Sequence, residues 1–536
     1  MNFDPLIYRY PSKRNVVYSG NGVVVTSNPL AAQAGLEMLK KGGNAVDAAV
    51  ATAACLAVTA PPSNGIGGDA FALVSVGNKL YGLNSSGPAP MSLTAEKVRR
   101  KGFSSMPRYG WEAVTVPGAP AAWAVLAEKH GTLPLPVLLA PAIRYAAEGY
   151  AVPVNVAQLW QTACARYRKD LTEDCYRFWF DTFTVDGEAP GPGTLWRCPA
   201  MAETLSEIAE SDAESFYRGN LAQRIVDFSE RWGGYLRAED LAGYAPEWVE
   251  PVSVNYRGYD VHEIPPNGYG ITALLALNIL KGFDLPCGRE SADSYHKTIE
   301  ALKLAFIDTQ KYVADPRQMK VSCEDLLSEA YAEERRKLIG REAVIPQPGR
   351  PRGGGTVYLA AADKSGTMIS YIQSNFSGFG SGLVVPDTGI AIQNRGYGFY
   401  LDEDSANCLA PGKKPAHTII PGFLSRDGKP LGPFGVMGGL MQPQGHLQVL
   451  SNTIDFGMNP QDALSAPRWQ WKGGRTVEVE TGVPLHVVEE LARRGHDIRV
   501  LYDSSKMGRG EIVWRMDDGV FCSGTEPRSD GTIAGW

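Results

Sequence analysis

The fold of this chain is decided by residues 347–375, which read QPGRPRGGG followed by TVYLAAADKSGTMISYIQSN. Proline and glycine disfavour helix and strand pairing, so residues 347–355 predict an exposed, mobile loop. Directly after this loop the pattern changes to a period of two, which predicts a hairpin with strands at 356–362 and 367–375. Thr356 therefore opens a strand immediately behind three glycines.

The segments on the two sides of this loop have different patterns. Upstream, from about residue 136 to residue 339, apolar residues recur at a spacing near 3.6, which predicts a helical layer. Downstream, hairpins are predicted at 382–394 and 417–437, and a helix is predicted at about 442–456. Because strands and helices occur in blocks, we predict an α+β layered sandwich rather than an alternating parallel sheet.

Composition limits the class of partner. The chain has 536 residues, 44% of them hydrophobic, which is enough for a large core. A net charge of −6 and a pI near 5.8 provide no broad basic surface, so neither nucleic acid nor membrane is the predicted partner. A small molecule is favoured. The first residues lack the pattern of a secretory signal and the eight cysteines are scattered, so a cytoplasmic protein is expected.

Three common types of site are disfavoured by the motifs. Residues 65–70 formally match the dinucleotide fingerprint, but a predicted strand follows them where the motif requires a helix. The chain contains no G-x-S-x-G elbow and no H-x-x-x-H pair. We therefore expect neither a cofactor nor a metal. The apolar run 45–60 carries Asp47 and ends at two prolines, which predicts a buried helix rather than a membrane span.

Thr356 has two interpretations. The simpler one is a β-branched residue that begins a strand. The other is chemical: a threonine hydroxyl needs an adjacent base, and the free α-amino group of the same residue, with a pKa of about 7.7–8.0, can serve as one. The amine becomes free only if the Gly355–Thr356 bond breaks. The glycines leave the Gly355 carbonyl open to attack by the Thr356 hydroxyl, so this bond is the predicted site of self-cleavage.

Short signatures along the whole chain favour the second interpretation. They are GNAVDAA at 43–49, GIGG at 65–68, VPG at 116–118, GTLP at 131–134, YRGY at 256–259, ADP at 314–316, DKSG at 363–366, Gly438-Gly439, and the ending 527–535. With them the chain resembles the γ-glutamyltransferase family of N-terminal nucleophile hydrolases. The resemblance implies a four-layer αββα sandwich, and a large subunit 1–355 and a small subunit 356–536 made from one chain.

The resemblance also implies roles for single residues. Thr356 would be the nucleophile, Ser374 would support it, and the backbone N–H groups of Gly438 and Gly439 would form the oxyanion hole. The chain departs from the family where the glutamyl group is bound. Ser86 replaces an arginine that holds the α-carboxylate, and His417-Thr418 replace the paired serines. The positions that bind the glutamyl amino group in the family are occupied here by Phe376, Arg395 and Gly398.

These departures predict a different substrate. No acid replaces the family's aspartate at Gly398, whereas the guanidinium of Arg395 suits a carboxylate. The predicted substrate-binding residues are Ser86, Asn394, Arg395 and His417. An alternative for Arg395 is a surface ion pair with Asp402 or Glu403.

The predicted function is hydrolysis of a small carboxylate-bearing amide. Oxamate, cleaved to oxalate and ammonia, fits best, because the oxamate amidohydrolases of purine degradation resemble this pattern. A γ-glutamyl hydrolase or transferase for glutathione-type substrates and an acylase for a larger amide stay open. A processed but inactive binding protein is a further alternative, and the intact Thr356, Ser374 and Gly438-Gly439 argue against it.

Overall fold

The computed structural model describes residues 4, 7, 9–10, 14–285, 287–346 and 355–536. For Gly355 and Thr356 it describes the backbone alone. Most of the loop predicted at 347–355 therefore lies outside the described residues, and so does the side chain of the predicted nucleophile.

The secondary structure falls into strands and helices in the order that follows. The strands are β1 (Val17–Ser19), β2 (Gly22–Thr26), β3 (Asp69–Val76), β4 (Lys79–Ser85), β5 (Tyr150–Ala151), β6 (Leu195–Trp196), β7 (Glu247–Val249), β8 (Val252–Tyr256), β9 (Tyr259–Glu263), β10 (Gly355–Asp363), β11 (Met368–Phe376), β12 (Gly422–Arg426), β13 (Lys429–Met437), β14 (Trp469–Gly473), β15 (Thr476–Glu480), β16 (Asp497–Leu501), β17 (Arg509–Arg515), β18 (Phe521–Thr525) and β19 (Thr532–Gly535). The helices are α1 (Pro29–Lys40), α2 (Ala45–Thr59), α3 (Ala95–Arg100), α4 (Ala119–His130), α5 (Leu135–Glu148), α6 (Val154–Asp170), α7 (Arg177–Phe183), α8 (Pro199–Glu210), α9 (Glu214–Arg218), α10 (Asn220–Arg231), α11 (Ala238–Ala242), α12 (Gly270–Leu280), α13 (Ala292–Tyr312), α14 (Cys323–Leu326), α15 (Glu329–Arg336), α16 (Met441–Ile454), α17 (Pro460–Ser465) and α18 (Leu485–Arg493).

Two seven-stranded sheets form the centre of the protein. Their strand orders are β1-β18-β17-β13-β12-β9-β8 and β19-β2-β10-β11-β3-β4-β7. The sheets face each other, because the Tyr358 ring in β10 packs against Gly435 in β13. Helices α1 and α2 cover the outer face of the second sheet, and α12 and α16 cover the outer face of the first. The predicted four-layer αββα sandwich is confirmed.

The predicted central hairpin is also confirmed, as β10 and β11, and it is tied to the helix layer. Asp363, at its turn, accepts a hydrogen bond of 2.7 Å from the backbone N–H of Ala45, the first residue of α2. A carboxylate at a helix N-terminus is favourable because backbone N–H groups point toward it. All of α2 is buried, as predicted for residues 45–60. No helix in the described part of the chain has both the length and the apolar character needed to cross a membrane.

Two predicted strand segments are not strands. The hairpin predicted at 382–394 contains a single isolated bridge, between Val384 and Ala391. Its glycines Gly382 and Gly389 have φ of +82° and +69°. Two backbone hydrogen bonds of 3.0 Å join its halves, Val385 to Ile390 and Ile392 to Leu383, while the N–H of Gln393 donates to Gly67. Residues 417–421 likewise lie outside the sheet, because β12 begins only at Gly422. Both segments reach the end of β11: Asn394 donates to the Asn375 carbonyl, and Arg395 contacts both Phe376 and Thr418.

Candidate active site

The predicted cleavage bond lies at the beginning of β10. Thr356 is the second residue of this strand. Its neighbour Gly355 pairs with Phe376 in β11, and the register shifts between Gly355 and Val357. An irregular register bends a strand and is frequent next to active sites. The backbone at the predicted nucleophile is therefore distinct from the regular ladder that follows.

Phe376, opposite Gly355, has an unusual backbone. Its φ is +75°, a conformation that is rare for a bulky residue and that the surrounding structure has to enforce. The Ser374 hydroxyl contributes by accepting a hydrogen bond of 2.8 Å from the N–H of Phe376. Backbone strain of this kind is concentrated at functional sites. Ser374 thus shapes the strand end next to Thr356.

The predicted oxyanion glycines follow β13 directly. Gly438 and Gly439 have φ of +139° and +61°, values that favour glycine. Their carbonyls accept hydrogen bonds from Met441 and Gln442 at the start of α16. Within the described part of the chain, neither glycine N–H donates a hydrogen bond. Two preorganised backbone donors are what an oxyanion hole requires.

A small cavity of about 40 Å³ lies beside Phe376, with Gly398, Thr418 and Leu440 among its walls. Arg395 lies directly behind Phe376 and Thr418, which both line this cavity. Its guanidinium carbon is 4.1 Å from the centre of the Phe376 ring, and its Nη1 donates to the Thr418 hydroxyl at 2.9 Å. Its Nε and Nη2 have no hydrogen-bond partner among the described residues.

Arg395 is not a surface residue. Its side chain has 0% exposure, and burial lowers its pKa to about 9. The alternative of a surface ion pair with Asp402 or Glu403 is therefore wrong, and Glu403 pairs instead with Arg99 at 2.8 Å.

The charge of Arg395 is balanced by Asp69, which the sequence did not indicate. The buried Asp69 carboxylate accepts hydrogen bonds from Gln393 Nε2 at 2.8 Å, from the N–H of Gly87 at 3.1 Å and from His417 Nε2 at 3.1 Å. Burial raises the pKa of Asp69 to about 7, and the positive charge of Arg395 opposes this rise. Asp69 ends the glycine run that resembled a nucleotide motif. An acid placed directly after such a run was the available signal.

His417 completes this group and is neutral. Its Nδ1 accepts a hydrogen bond of 3.3 Å from the N–H of Ile419, so the ring proton is on Nε2 and points at Asp69. Burial and the nearby charge of Arg395 hold its pKa well below the ordinary value. We call Asp69, Arg395 and His417 the buried cluster. Two of the four predicted substrate-binding residues thus come together around one carboxylate.

The other two predicted substrate-binding residues are engaged with neighbouring side chains or backbone. The Ser86 hydroxyl donates to Asn84 Oδ1 at 2.7 Å and accepts from Asn267 Nδ2 at 3.2 Å. Asn394 accepts from the N–H of Ser377 at 3.1 Å and donates to the Arg108 carbonyl at 2.8 Å. Both are buried. Their direct contact with substrate stays a prediction, and their observed contacts fix the loops around the site.

A second, larger cavity of about 370 Å³ opens next to Gly438. Ser377 and Gly378, which follow Phe376, also line it. Since Phe376 and Leu440 line the small cavity, the two cavities adjoin neighbouring residues at the strand end that carries Thr356.

One group in the described residues has the donor types of a metal site: His296, Glu300 and His496, whose donor atoms lie within 4.8 Å of one another. Lys303 already places its ammonium 2.6 Å from Glu300. The His296 ring forms two hydrogen bonds of 2.9 Å, one between its Nδ1 and His496 Nε2 and one between its Nε2 and the Gly340 carbonyl. Because a divalent cation would have to displace the ammonium, we interpret the group as a network that holds the segment from Gly340 onward.

Acid is expected to destabilise the protein through this network. Burial lowers the pKa of His496 from 6.5 to about 3. As the pH falls below about 6.5 the unfolded chain takes up a proton that the folded chain refuses, so the free energy of unfolding falls by roughly 1.4 kcal/mol per pH unit. The midpoint of thermal unfolding at pH 7 and at pH 5 measures this effect. His496→Gln, which cannot titrate, should reduce the difference, and an unchanged difference would contradict the assignment.

Comparisons with known proteins agree with this geometry. The chain is 38% identical over 530 residues to a glutathione hydrolase-like proenzyme of Bacillus subtilis, covering 96% of this chain and 98% of the relative. It is 34% identical over 536 residues to an oxamate amidohydrolase proenzyme of Klebsiella pneumoniae, covering 97% and 99%. A crystal structure of cephalosporin acylase from Bacillus halodurans superposes with a TM-score of 0.96 at 59% identity, covering 100% of this chain and 99% of that one. The gamma-glutamyltranspeptidase family profile matches residues 31–536, and the chain therefore belongs to this family.

Proposed function

We propose that the chain cuts itself before Thr356 and then uses this residue to hydrolyse amides whose acyl part carries a carboxylate. The products of the cut would be residues 1–355 and 356–536. Oxamate is the smallest substrate of this class. Hydrolysis of amides as such follows from the family, and the nucleophile and the substrate are our proposal.

The observation that carries the proposal is the state of Arg395. It is fully buried, and its Nε and Nη2 lack partners among the described residues. A buried donor without a partner costs about 1–3 kcal/mol, so such a side chain is retained where a ligand completes it. Asp69 does not supply the acceptor, because within 4.0 Å its carboxylate pairs with His417 and not with Arg395 in the described part of the chain. A substrate carboxylate would supply the missing acceptor once Phe376 or Thr418 moves aside.

The chemistry follows in two stages. In the first, the Thr356 hydroxyl attacks the Gly355 carbonyl and the acyl group moves from nitrogen to oxygen, which frees the α-amine; water then hydrolyses the ester, which frees the hydroxyl and leaves a carboxylate on Gly355. In the second, this amine takes the hydroxyl proton while the oxygen attacks the substrate amide. The N–H groups of Gly438 and Gly439 hold the oxyanion. The amine product leaves with the proton, and water releases the acid from Thr356.

A larger amide is the second candidate. The observation in its favour is the cavity of about 370 Å³ beside Gly438, which ammonia leaving from oxamate would not use. The 59% identity to a chain described as a cephalosporin acylase points the same way. Ammonia release from oxamate, succinamate and glutaramate, compared with cleavage of a γ-glutamyl anilide, separates the candidates. Cleavage of the γ-glutamyl anilide alone would refute the proposal, since that acyl group carries an ammonium beside its carboxylate and the proposed substrates carry a carboxylate without an ammonium.

Replacing Arg395 by methionine is expected to lower kcat/KM for the preferred monoamide at least about tenfold, because a charge-assisted contact is worth about 1.5–3 kcal/mol. Processing should be unaffected. Steady-state rates of ammonia release on the processed variant measure the effect. Because the variant leaves Asp69 without its counterion, Arg395→Met combined with Asp69→Asn serves as the folding control.

Arg99→Met is the matched control for this prediction. Arg99 is a partly exposed arginine paired with Glu403, and loss of such a pair costs about 0–1 kcal/mol at most. Its kcat/KM should stay within about twofold of wild type, since it is not placed at the site. If Arg395→Met behaved like Arg99→Met, the carboxylate assignment would have to be abandoned.

A further inference from the structure

The ring of Phe376 separates the small cavity from Arg395. Phe376 and Thr418 line this cavity of about 40 Å³, whereas Arg395 is not part of its lining. The guanidinium carbon of Arg395 lies 4.1 Å from the centre of the Phe376 ring, so the ring covers one face of the guanidinium. A group that enters the cavity therefore meets the ring before it meets the charge.

The two side chains form a cation–π contact. Burial lowers the pKa of Arg395 to about 9, so its guanidinium is still charged at pH 7. A cation within about 6 Å of the face of an aromatic ring is attracted to it, most strongly where water is excluded. Both side chains are buried, Arg395 at 0% exposure and Phe376 at 3%. Such stacking changes an equilibrium constant by about 2- to 30-fold.

The backbone of Phe376 is strained, with a φ of +75°. A glycine would adopt this φ without strain, yet the chain has a bulky residue here. The Ser374 hydroxyl fixes the conformation by accepting a hydrogen bond from the N–H of Phe376, and Gly355 pairs with Phe376 on the facing strand. Because the backbone is fixed, the ring can leave Arg395 by side-chain rotation. The contact of this ring with Arg395 is what a glycine would lack.

A carboxylate gains more at Arg395 than the ring does. Nε and Nη2 of Arg395 have no hydrogen-bond partner among the described residues, and the ring supplies none. A charge-assisted contact to these donors changes an equilibrium constant by about 10- to 150-fold, more than most of the range for stacking. A carboxylate can therefore displace the ring, whereas an uncharged group without such a contact leaves it in place.

Thr418, the other residue between the cavity and Arg395, is less suited to move. Its hydroxyl accepts the hydrogen bond of 2.9 Å from Nη1, so its departure would leave a third nitrogen of Arg395 without this partner. The preceding residue, His417, is fixed on both sides: its N–H donates to the Asn267 carbonyl at 2.7 Å, and its carbonyl accepts from the N–H of Tyr269 at 2.8 Å. A phenyl ring gives up no hydrogen bond when it moves.

The displaced ring has a neighbouring space to enter. Ser377, the next residue along the chain, lines the cavity of about 370 Å³. A ring that rotates toward this cavity would leave the small cavity of about 40 Å³ to the acyl part of the substrate.

We infer that Phe376 is a gate over Arg395, and that the carboxylate on the acyl part of the substrate opens it by displacing the ring. The inference rests on the proposed function, in which Arg395 holds this carboxylate. In the closed state the ring keeps water from the guanidinium, and a charged contact is stronger where water is excluded. Phe376 acts through Arg395 and is a positioning residue, not a catalytic one.

Binding of glutarate to the processed protein tests the gate, because glutarate carries carboxylates but no amide that could be cleaved. Phe376→Ala removes the ring that the ligand has to displace. Its dissociation constant, measured by calorimetry, should be at least about threefold lower than that of wild type. Phe376→Tyr keeps a ring and should bind like wild type. Unchanged or weaker binding by Phe376→Ala would overturn the inference, since the ring would then be no obstacle.

Phe399→Ala is the matched control. Phe399 is also buried and lines the small cavity, but the ring stacked on Arg395 is that of Phe376. Phe399→Ala should therefore enlarge the cavity without tightening the binding of glutarate. A crystal structure of the wild-type protein with glutarate tests the gate without any variant: the Phe376 ring should have left Arg395, and a ring still stacked on the guanidinium would refute the gate.

Chemical labelling separates this inference from the proposed function. Butane-2,3-dione reacts with accessible arginine side chains, and mass spectrometry measures its rate at Arg395. Without a ligand, Phe376→Ala should be labelled there at least about threefold faster than wild type, and Phe399→Ala at the wild-type rate. If glutarate bound to none of these proteins, the proposed acyl specificity would have failed, and the labelling alone would decide whether Phe376 covers Arg395. Equal rates in Phe376→Ala and wild type would rule the gate out.

Discussion

Replacing Thr356 by alanine is expected to leave the chain in one piece and to abolish amide hydrolysis. Without the hydroxyl, nothing attacks the Gly355 carbonyl, and neither the nucleophile nor its free amine is formed. Loss of a catalytic nucleophile costs on the order of 10⁶-fold in kcat. Denaturing gels should show two fragments for wild type and a single band for the variant. Terminal sequencing of the smaller wild-type fragment should begin at Thr356.

Two further variants make this result specific. Thr356→Ser keeps a hydroxyl and an α-amine, so it should process and retain measurable turnover. Thr367→Ala removes another threonine just before β11 and should behave like wild type. Two bands from Thr356→Ala, or a small fragment that begins at any other residue, would contradict the assignment of the nucleophile.

Deleting the N–H of Gly439 is expected to lower kcat by about 10²–10³, the usual cost of removing one donor from an oxyanion hole. Proline would delete the N–H but cannot adopt the φ of +61° found here, so its effect would mix catalysis with folding. Incorporation of glycolate, which replaces the amide by an ester, removes the N–H while keeping the shape. Single-turnover rates on the processed protein measure the loss.

The same ester at Gly428 provides the control. Gly428 has a similar φ of +71°, in the turn between β12 and β13, and no other group lies within 4 Å of the position of its missing Cβ. Its ester should leave kcat unchanged. If the two esters had equal effects, the glycine pair would be only a strand-to-helix turn.

The architecture was predictable because local sequence patterns indicate where its strands and helices begin and end. The change of period at Thr356 located the β10–β11 hairpin, and the glycine pair at 438–439 marked the passage from β13 to α16. The hairpin predicted at 382–394 forms no regular ladder, because Gln393 and Asn394 donate their backbone hydrogen bonds to the distant residues Gly67 and Asn375, which no local pattern reveals. Periodicity reports which face of a strand is buried, and it does not report which strand lies next to it.

The electrostatics of the site could not be obtained in this way. Asp69 and His417 are separated by 348 positions, and their hydrogen bond exists only because β3 and the segment before β12 meet at one end of the two sheets. Arg395 was predicted to bind a carboxylate because it stands where the family binds the glutamyl amino group, but its burial and its stacking on Phe376 required coordinates. The basic side chains that line the large cavity come from positions as far apart as Arg108 and Arg509, and no local pattern connects them.

Each of the two sheets combines strands from before and after the proposed cut, so cutting the chain would change how its unfolding depends on protein concentration. Strand β10 lies between β2, from upstream of the cut, and β11, and β12 lies between β9, also from upstream, and β13. Separation of the two fragments therefore requires both sheets to unfold. The uncut chain folds in a reaction of first order, whereas the cut protein has to reassemble from two molecules, so by mass action its unfolding midpoint depends on protein concentration. The proposed cut would thus make refolding a bimolecular event, and a dilute, cut protein that unfolds would have lost the connection that first brought its strands together.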